Sequence, residues 1–211
     1  MGYYPIFLDL DGRPCLVIGG GPVAERKVEA LRALGAAVTV VSPALTPALT
    51  RLAREGGIRH QARPYAPGDL AGCHLAFVAT DDGEVNAEVA REGRARGVWV
   101  NAADDPARCD FILPSVLRRG DLVVAVATGG TSPALARAIR EELEAYFTED
   151  YAALARIVAE VRQELRGRGH RPDAETWRAA LDGDIRRLVA AGRPAEARSH
   201  LVRRLGGEPC D

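Results

Sequence analysis

The chain has 211 residues, enough for one ordinary domain plus a smaller one. Apolar residues make up 47%, which supplies a core and argues against global disorder. The formal charge of −1 offers no field for nucleic acid or an anionic membrane, and no apolar run nears the roughly 20 residues of a membrane span.

The N-terminus, Met1-Gly2-Tyr3-Tyr4-Pro5, lacks a basic n-region and does not read as a secretory signal. Leu16–Gly19 is then predicted as a strand and Val23–Leu34 as a helix closed by Gly35. Between them, Gly19, Gly21 and Ala24 fit the G-x-G-x-x-[GA] spacing. A dinucleotide fold needs that order, because the strand delivers a tight turn that opens a helix with free N–H groups for a pyrophosphate. Gly19 permits the turn, Gly21 lets the cofactor approach the backbone, and Ala24 lets helix and strand pack closely. Gly19, Gly20, Gly21, Pro22 and Val23 are therefore the expected cradle of a nicotinamide or flavin nucleotide.

Ala37–Val41 is a second strand ending at Ser42, where NAD-binding folds often carry an acid for the ribose. With Ser42 there, charge does not decide between NAD and NADP, but the absence of an arginine directly after it disfavours a 2′-phosphate. Pro47–Glu55 reads as a helix, Ile58–Arg63 and Leu75–Ala79 as strands, and Val85–Arg96 as a helix capped by Asp81 or Asp82. Val98–Asn101 is one more strand. Strands alternate with helices at βαβ spacing, which predicts a doubly wound parallel sheet over 1–113. Thr80, Asp81 and Asn101 lie at the carboxyl ends of strands, where ligands of open α/β sheets bind. In Asn101-Ala102-Ala103-Asp104-Asp105-Pro106, Asp104 is a carboxylate that could remove a proton, while Asp105 reads as a turn former.

The pattern then changes. Phe111–Leu117 and Leu122–Ala127 have hairpin spacing, and Pro133–Phe147 reads as a helix with apolar positions at Leu135, Ala138/Ile139, Leu143 and Phe147. Thr128-Gly129-Gly130-Thr131-Ser132-Pro133 is a second glycine-rich loop opening a helix, with Ser132 as its cap. Such a start favours anions, so a carboxylate-bearing substrate is expected there, with Arg118, Arg119 and Arg137 close in sequence. From Thr148 on, the chain reads as helical: Tyr151–Leu165, Asp173–Leu181, a helix ending at Gly192, and Pro194–Leu205.

Cys15, Cys73, Cys109 and Cys210 form no C-x-x-C pair, and the four histidines lack ligand spacing. Reduced thiols, a cytoplasmic setting and no resident metal are expected. Lys27 is the single lysine, so a Schiff-base mechanism could run only through the first helix.

Together these motifs resemble the siroheme synthase family, in its precorrin-2 dehydrogenase module. The residues that carry the resemblance are Tyr4-Pro5-Ile6-Phe7, Gly19-Gly20-Gly21-Pro22-Val23-Ala24-Glu25-Arg26-Lys27, Ala79-Thr80-Asp81-Asp82, Asn101 with Asp104 and Pro106, Phe111-Ile112-Leu113-Pro114-Ser115, and Gly129-Gly130-Thr131-Ser132-Pro133. Beyond about residue 150 the likeness is only that of a helical region. The resemblance implies a Rossmann-type NAD-binding domain (1–113), a small α+β dimerisation and substrate unit (114–147) and a helical C-terminal region (148–211). It implies a homodimer that oxidises precorrin-2 to sirohydrochlorin with NAD in siroheme biosynthesis, a branch of porphyrin biosynthesis. Asp104 matches the family's catalytic aspartate. Ser115, Thr128, Gly129, Gly130, Thr131 and Ser132 fall where substrate would bind, although many relatives carry serine at position 128. Some members also insert ferrous iron, Fe2+, and this sequence leaves that activity open. Larger members fuse a uroporphyrinogen methyltransferase domain, for which 211 residues leave no room, so methylation is expected from another protein. The residues alone leave two other readings: an NAD(P)-dependent reductase of a small carbonyl or imine, and a nucleotide-sensing regulatory domain without catalysis.

Overall fold

A computed structural model describes residues 2–102 and 108–206. The chain divides into two compact units, Met1–Leu113 and Pro114–Asp211.

The first unit is an α/β fold of the Rossmann type. Five parallel strands, β1 (Pro14–Ile18), β2 (Ala37–Val41), β3 (Arg59–Gln61), β4 (Leu75–Val78) and β5 (Trp99–Ala102), lie in the order β3-β2-β1-β4-β5. Val17 of β1 pairs with Val40 of β2 on one side and Phe77 of β4 on the other. The central strands are buried on both faces, which is why they read as unbroken apolar runs rather than alternating ones. Helix α1 (Pro22–Arg32) presents Ala24, Val28 and Leu31 at helical spacing to one face of the sheet. That face also receives Leu49 of α2 (Pro47–Arg54). Helix α3 (Gly83–Arg96) presents Val89, with Val85 packed beside it, to the cluster on the other side, with Leu16, Ile18 and Val100. Gly93 explains how closely α3 approaches β5: a Cβ there would lie 2.4 Å from Val100 Cγ2. Gly97, at φ 71°, ends the helix in the left-handed conformation.

In the second unit, β6 (Ser115–Arg119) and β7 (Leu122–Val126) pair antiparallel across the two-residue turn Gly120-Asp121, with Gly120 at φ 56°. Helix α4 (Pro133–Tyr146) lies against this hairpin. Four further helices follow: α5 (Asp150–Gly167), α6 (Ala174–Ala180), α7 (Gly183–Ala190) and α8 (Pro194–Arg204). They bury Ile157, Val161, Leu165, Ile185, Val189, Leu201 and Val202 in a cluster of their own. His170 donates through Nε2 to the Leu205 carbonyl at 2.8 Å, tying the end of α5 to the end of α8.

One expectation is corrected. The strand expected from Phe111 begins at Ser115 instead. Phe111 packs edge-on against Phe77 in the first unit, and Pro114 has no N–H for a ladder. On α4, Ala136 is buried and Ile139 and Leu143 are half-buried, while Leu135 is 52% exposed, because the hairpin covers only part of the helix's apolar stripe.

Candidate functional site

In a sheet of this order the connections leave β1 and β4 in opposite directions, opening a crevice beyond their carboxyl ends. The segments that leave those two strands touch each other. Ala79 N donates to the Ile18 carbonyl at 2.7 Å. Gly19, at φ 115°, comes so close to the β4 end that a Cβ would lie 2.2 Å from the Ala79 carbonyl oxygen. Gly20 is equally constrained from the other side, where a Cβ would lie 1.9 Å from the Ala44 oxygen and 2.8 Å from Ser42 Oγ. Gly21 differs: a Cβ there meets nothing within 4 Å. Protein packing therefore requires the first two glycines, whereas the third leaves backbone open on the crevice.

Gly21 is the N-cap of α1 and supplies no side-chain hydrogen bond. Pro22 has no N–H, so the first turn keeps its remaining donors and the positive end of the helix dipole for an incoming anion. By contrast α3 is capped by Asp82, which accepts from Glu84 N and Val85 N. Helix α4 is capped by Ser132, which accepts from Leu135 N. An uncapped α1, in a unit whose α2 and α3 both carry side-chain caps, fits a pyrophosphate-binding start, and the residues present fit a dinucleotide.

The other cofactor candidates lie at or near the carboxyl ends of β2, β4 and β5. Ser42 is 7% exposed and donates to the Ala44 carbonyl at 2.7 Å, while its own carbonyl accepts from His60 Nε2 at 3.0 Å. Thr80 Oγ1 accepts from Asp82 N, and the Thr80 carbonyl accepts from Asn86 Nδ2. Asp81 is exposed at the same strand end. Asn101 is buried and lies inside β5, one residue before its end. It donates to the Phe111 carbonyl at 3.0 Å, so it also anchors the returning chain. Asp104 lies outside the described residues, and its placement beside Asn101 stays an expectation.

Some neighbours of the site were not foreseen from spacing. Thr46 N donates to the Gly20 carbonyl at 2.9 Å, and Thr46 Oγ1 donates to Glu25. Thr46 is the N-cap of α2, followed by Pro47 in the first turn, and it reaches across to α1. Arg54 is not adjacent to Ser42 in sequence, yet it shares a 350 Å³ cavity with Pro43, Ala44 and His60. Lys27 is half-buried on α1 with Nζ 5.6 Å from the Phe77 ring centroid. Burial, and secondly Arg26, lower its pKa.

In the second unit, Ser115 opens β6 opposite Val126, so Ser115 and the loop Thr128–Ser132 occupy one end of the hairpin. The Thr128 hydroxyl donates to the Ser132 carbonyl and accepts from Ser132 N, while Thr131 Oγ1 donates to the Thr128 carbonyl. These bonds hold Gly129 and Gly130 in the left-handed region, at φ 64° and 82°, with open space beyond both. Arg119 donates to the Phe147 carbonyl and pairs with Glu149, and Arg137 pairs with Glu141. Asp182, Asp184 and His200 also converge, but Asp182 caps α7 and pairs with His200, and Asp184 pairs with Arg187. Among the described residues no helix is long and apolar enough to cross a membrane.

The family model described as putative NAD(P)-binding matches residues 6–115, and that of the sirohaem biosynthesis protein central region matches 119–146. The chain is 43% identical over 205 residues to a siroheme synthase of Methylobacillus flagellatus, covering 96% of this chain and 44% of that protein. A siroheme synthase of Pseudomonas aeruginosa is 42% identical over 211 residues, with 98% and 45% covered. The chain thus spans less than half the length of these relatives. A solved precorrin-2 dehydrogenase, SirC, superposes with a TM-score of 0.78 at 27% identity, covering 95% of this chain and all of that one. The chain accordingly belongs to the putative NAD(P)-binding family, and it is a homologue of the siroheme synthases along nearly its whole length.

Proposed function

We propose that this protein oxidises precorrin-2 to sirohydrochlorin with NAD as the electron acceptor. The observation that carries the reading is the open, uncapped start of α1 at the sheet's switch point, in a chain that superposes over the full length of a precorrin-2 dehydrogenase. Gly19, Gly20, Gly21, Pro22 and Val23 would hold the pyrophosphate, and Ser42, Thr80, Asp81 and Asn101 would line the remainder of the cofactor. Bound there, NAD supplies the acceptor for a hydride.

Losing two hydrogens as hydride and proton requires a base at the substrate, and Asp104 is assigned that role. Ser115 and the loop of Thr128, Gly129, Gly130, Thr131 and Ser132 are assigned to the tetrapyrrole carboxylates. Since the Thr128 and Ser132 side chains and the N–H groups of Thr131, Ser132 and Leu135 already bond within the loop and its cap, recognition of anions is assigned to the backbone of Gly129 and Gly130. The three parts are then a cofactor domain (1–113), a substrate and dimerisation unit (114–147) and a helical region (148–211). A homodimer is supported by Val116, Leu135 and Tyr146, large apolar side chains left exposed on the hairpin and α4. The cytoplasm is assigned as the compartment, in keeping with the free thiols of Cys15, Cys73 and Cys109.

Anaerobic absorbance of the purified chain with precorrin-2 and NAD tests the reading. Stoichiometric NADH and sirohydrochlorin are expected, with NADP a poorer acceptor. Cofactor binding without turnover would leave a nucleotide sensor, and turnover of carbonyls or imines alone would leave a reductase. Ferrous iron insertion is proposed as a second activity, with iron as substrate, and adding Fe2+ after oxidation tests it.

A further inference from the structure

The glycine turn, α1 and α2 meet at one residue. Thr46 is the N-cap of α2, where its hydroxyl oxygen accepts from Leu49 N at 3.2 Å. The same hydroxyl donates to Glu25 Oε2 at 2.5 Å, and Thr46 N donates to the Gly20 carbonyl. Glu25 is the acidic residue in the first turn of α1. That turn is uncapped, so its free N–H groups and dipole attract any nearby anion. A free carboxylate on the same turn would compete for those donors and repel a phosphate. The hydroxyl of Thr46 instead engages that carboxylate at the start of α2.

We propose that Thr46 is a positioning residue of the dinucleotide site, holding the Glu25 carboxylate away from the anion-binding start of α1. This rests on the cofactor reading above. The role needs a group that donates and accepts at once, since the hydroxyl serves Glu25 and Leu49 N together. Serine meets that demand and valine, of the same shape, does not.

NADH fluorescence titration of the full chain, with thermal melts alongside, tests the idea. Thr46→Val should weaken NADH binding about tenfold and raise the KM for NAD without lowering kcat. Thr46→Ser should stay within about threefold of the parent. Adding Glu25→Gln to Thr46→Val removes the released charge and should restore affinity to within about threefold. A merely structural loss would not be rescued in this way. Should the valine variant not fold, Thr46→Ala with and without Glu25→Gln carries the same test. Unchanged affinity in Thr46→Val, or no rescue by Glu25→Gln, overturns the proposal. A parent chain that binds neither NADH nor NADPH overturns the cofactor reading and this proposal with it.

Discussion

Alanine at each of the three loop glycines separates what the fold needs from what the cofactor needs. At Gly19 the backbone sits at φ 115° and the new methyl would lie 2.2 Å from the Ala79 oxygen. Strained φ costs about 1–3 kcal/mol and forced overpacking about 1–3 more, so Gly19→Ala should lose roughly 2–6 kcal/mol. At Gly20 the methyl would lie 1.9 Å from the Ala44 oxygen, so only the overpacking cost of about 1–3 kcal/mol applies. At Gly21 the φ is −84° and the methyl meets nothing. Replacing glycine by alanine at an N-cap costs about 0.5–1 kcal/mol. The less flexible unfolded chain returns about 0.4–1 kcal/mol. Gly21→Ala should therefore melt within about 2 °C of the parent. Its NADH affinity should nevertheless fall about tenfold or more, or 1.4 kcal/mol, because the methyl occupies the approach to the backbone. Thermal melts without cofactor and NADH fluorescence titration measure the two effects separately. A Gly21→Ala variant that binds NADH like the parent would refute the assignment of this turn, and one that melts like Gly19→Ala would refute the packing argument.

Asp104→Asn keeps the shape of the side chain and removes the proton acceptor, so turnover should fall by about 10²–10⁴ while NADH binding survives; unchanged turnover in the absorbance assay moves the base elsewhere. Gly130→Val should raise the tetrapyrrole KM at unchanged NADH affinity, since Gly130 sits at φ 82° on open space in the second unit, and equal loss of both affinities would break the division between the two loops. Burial, and secondly Cys73, push the Cys15 thiol up to about 11 from an ordinary 9.0. The unfolded chain therefore sheds this proton first, and stability present below about pH 9 should fall by on the order of 2 kcal/mol by pH 11. Urea denaturation across that window should show a shallower loss for Cys15→Ala, and an equal loss would exclude Cys15 as the source.

Much of the first unit follows from local pattern. Short apolar runs, glycine stops and capping residues act within a few positions of themselves, so β1, α1, β2 and the Asp82 cap of α3 were legible before any contact was known. The spacing of Gly19, Gly21 and Ala24 carried the cofactor cradle for the same reason. Spacing assigned Gly19 to the turn and Gly21 to the ligand, but it could not show that Gly19 and Gly20 are constrained by Ala79 and Ala44, far along the chain. Nor could it show that Phe111 leaves the hairpin to pack on Phe77.

The remaining differences are tertiary in origin. Periodicity marked an apolar stripe on α4, but only packing decides how much of it is covered, and Leu135 stays exposed. Thr46 and Glu25 stand 21 residues apart, and they meet because β2 returns the chain beside the glycine turn. Arg54 and His60 come to Pro43 and Ala44 for a similar reason. Sequence by itself determined the order of elements, the glycine cradle and the family likeness, since propensity and motif spacing are short-range properties. Only the tertiary structure decided which donors at the crevice are already spent, because hydrogen bonds between distant segments form only after the sheet has brought them together.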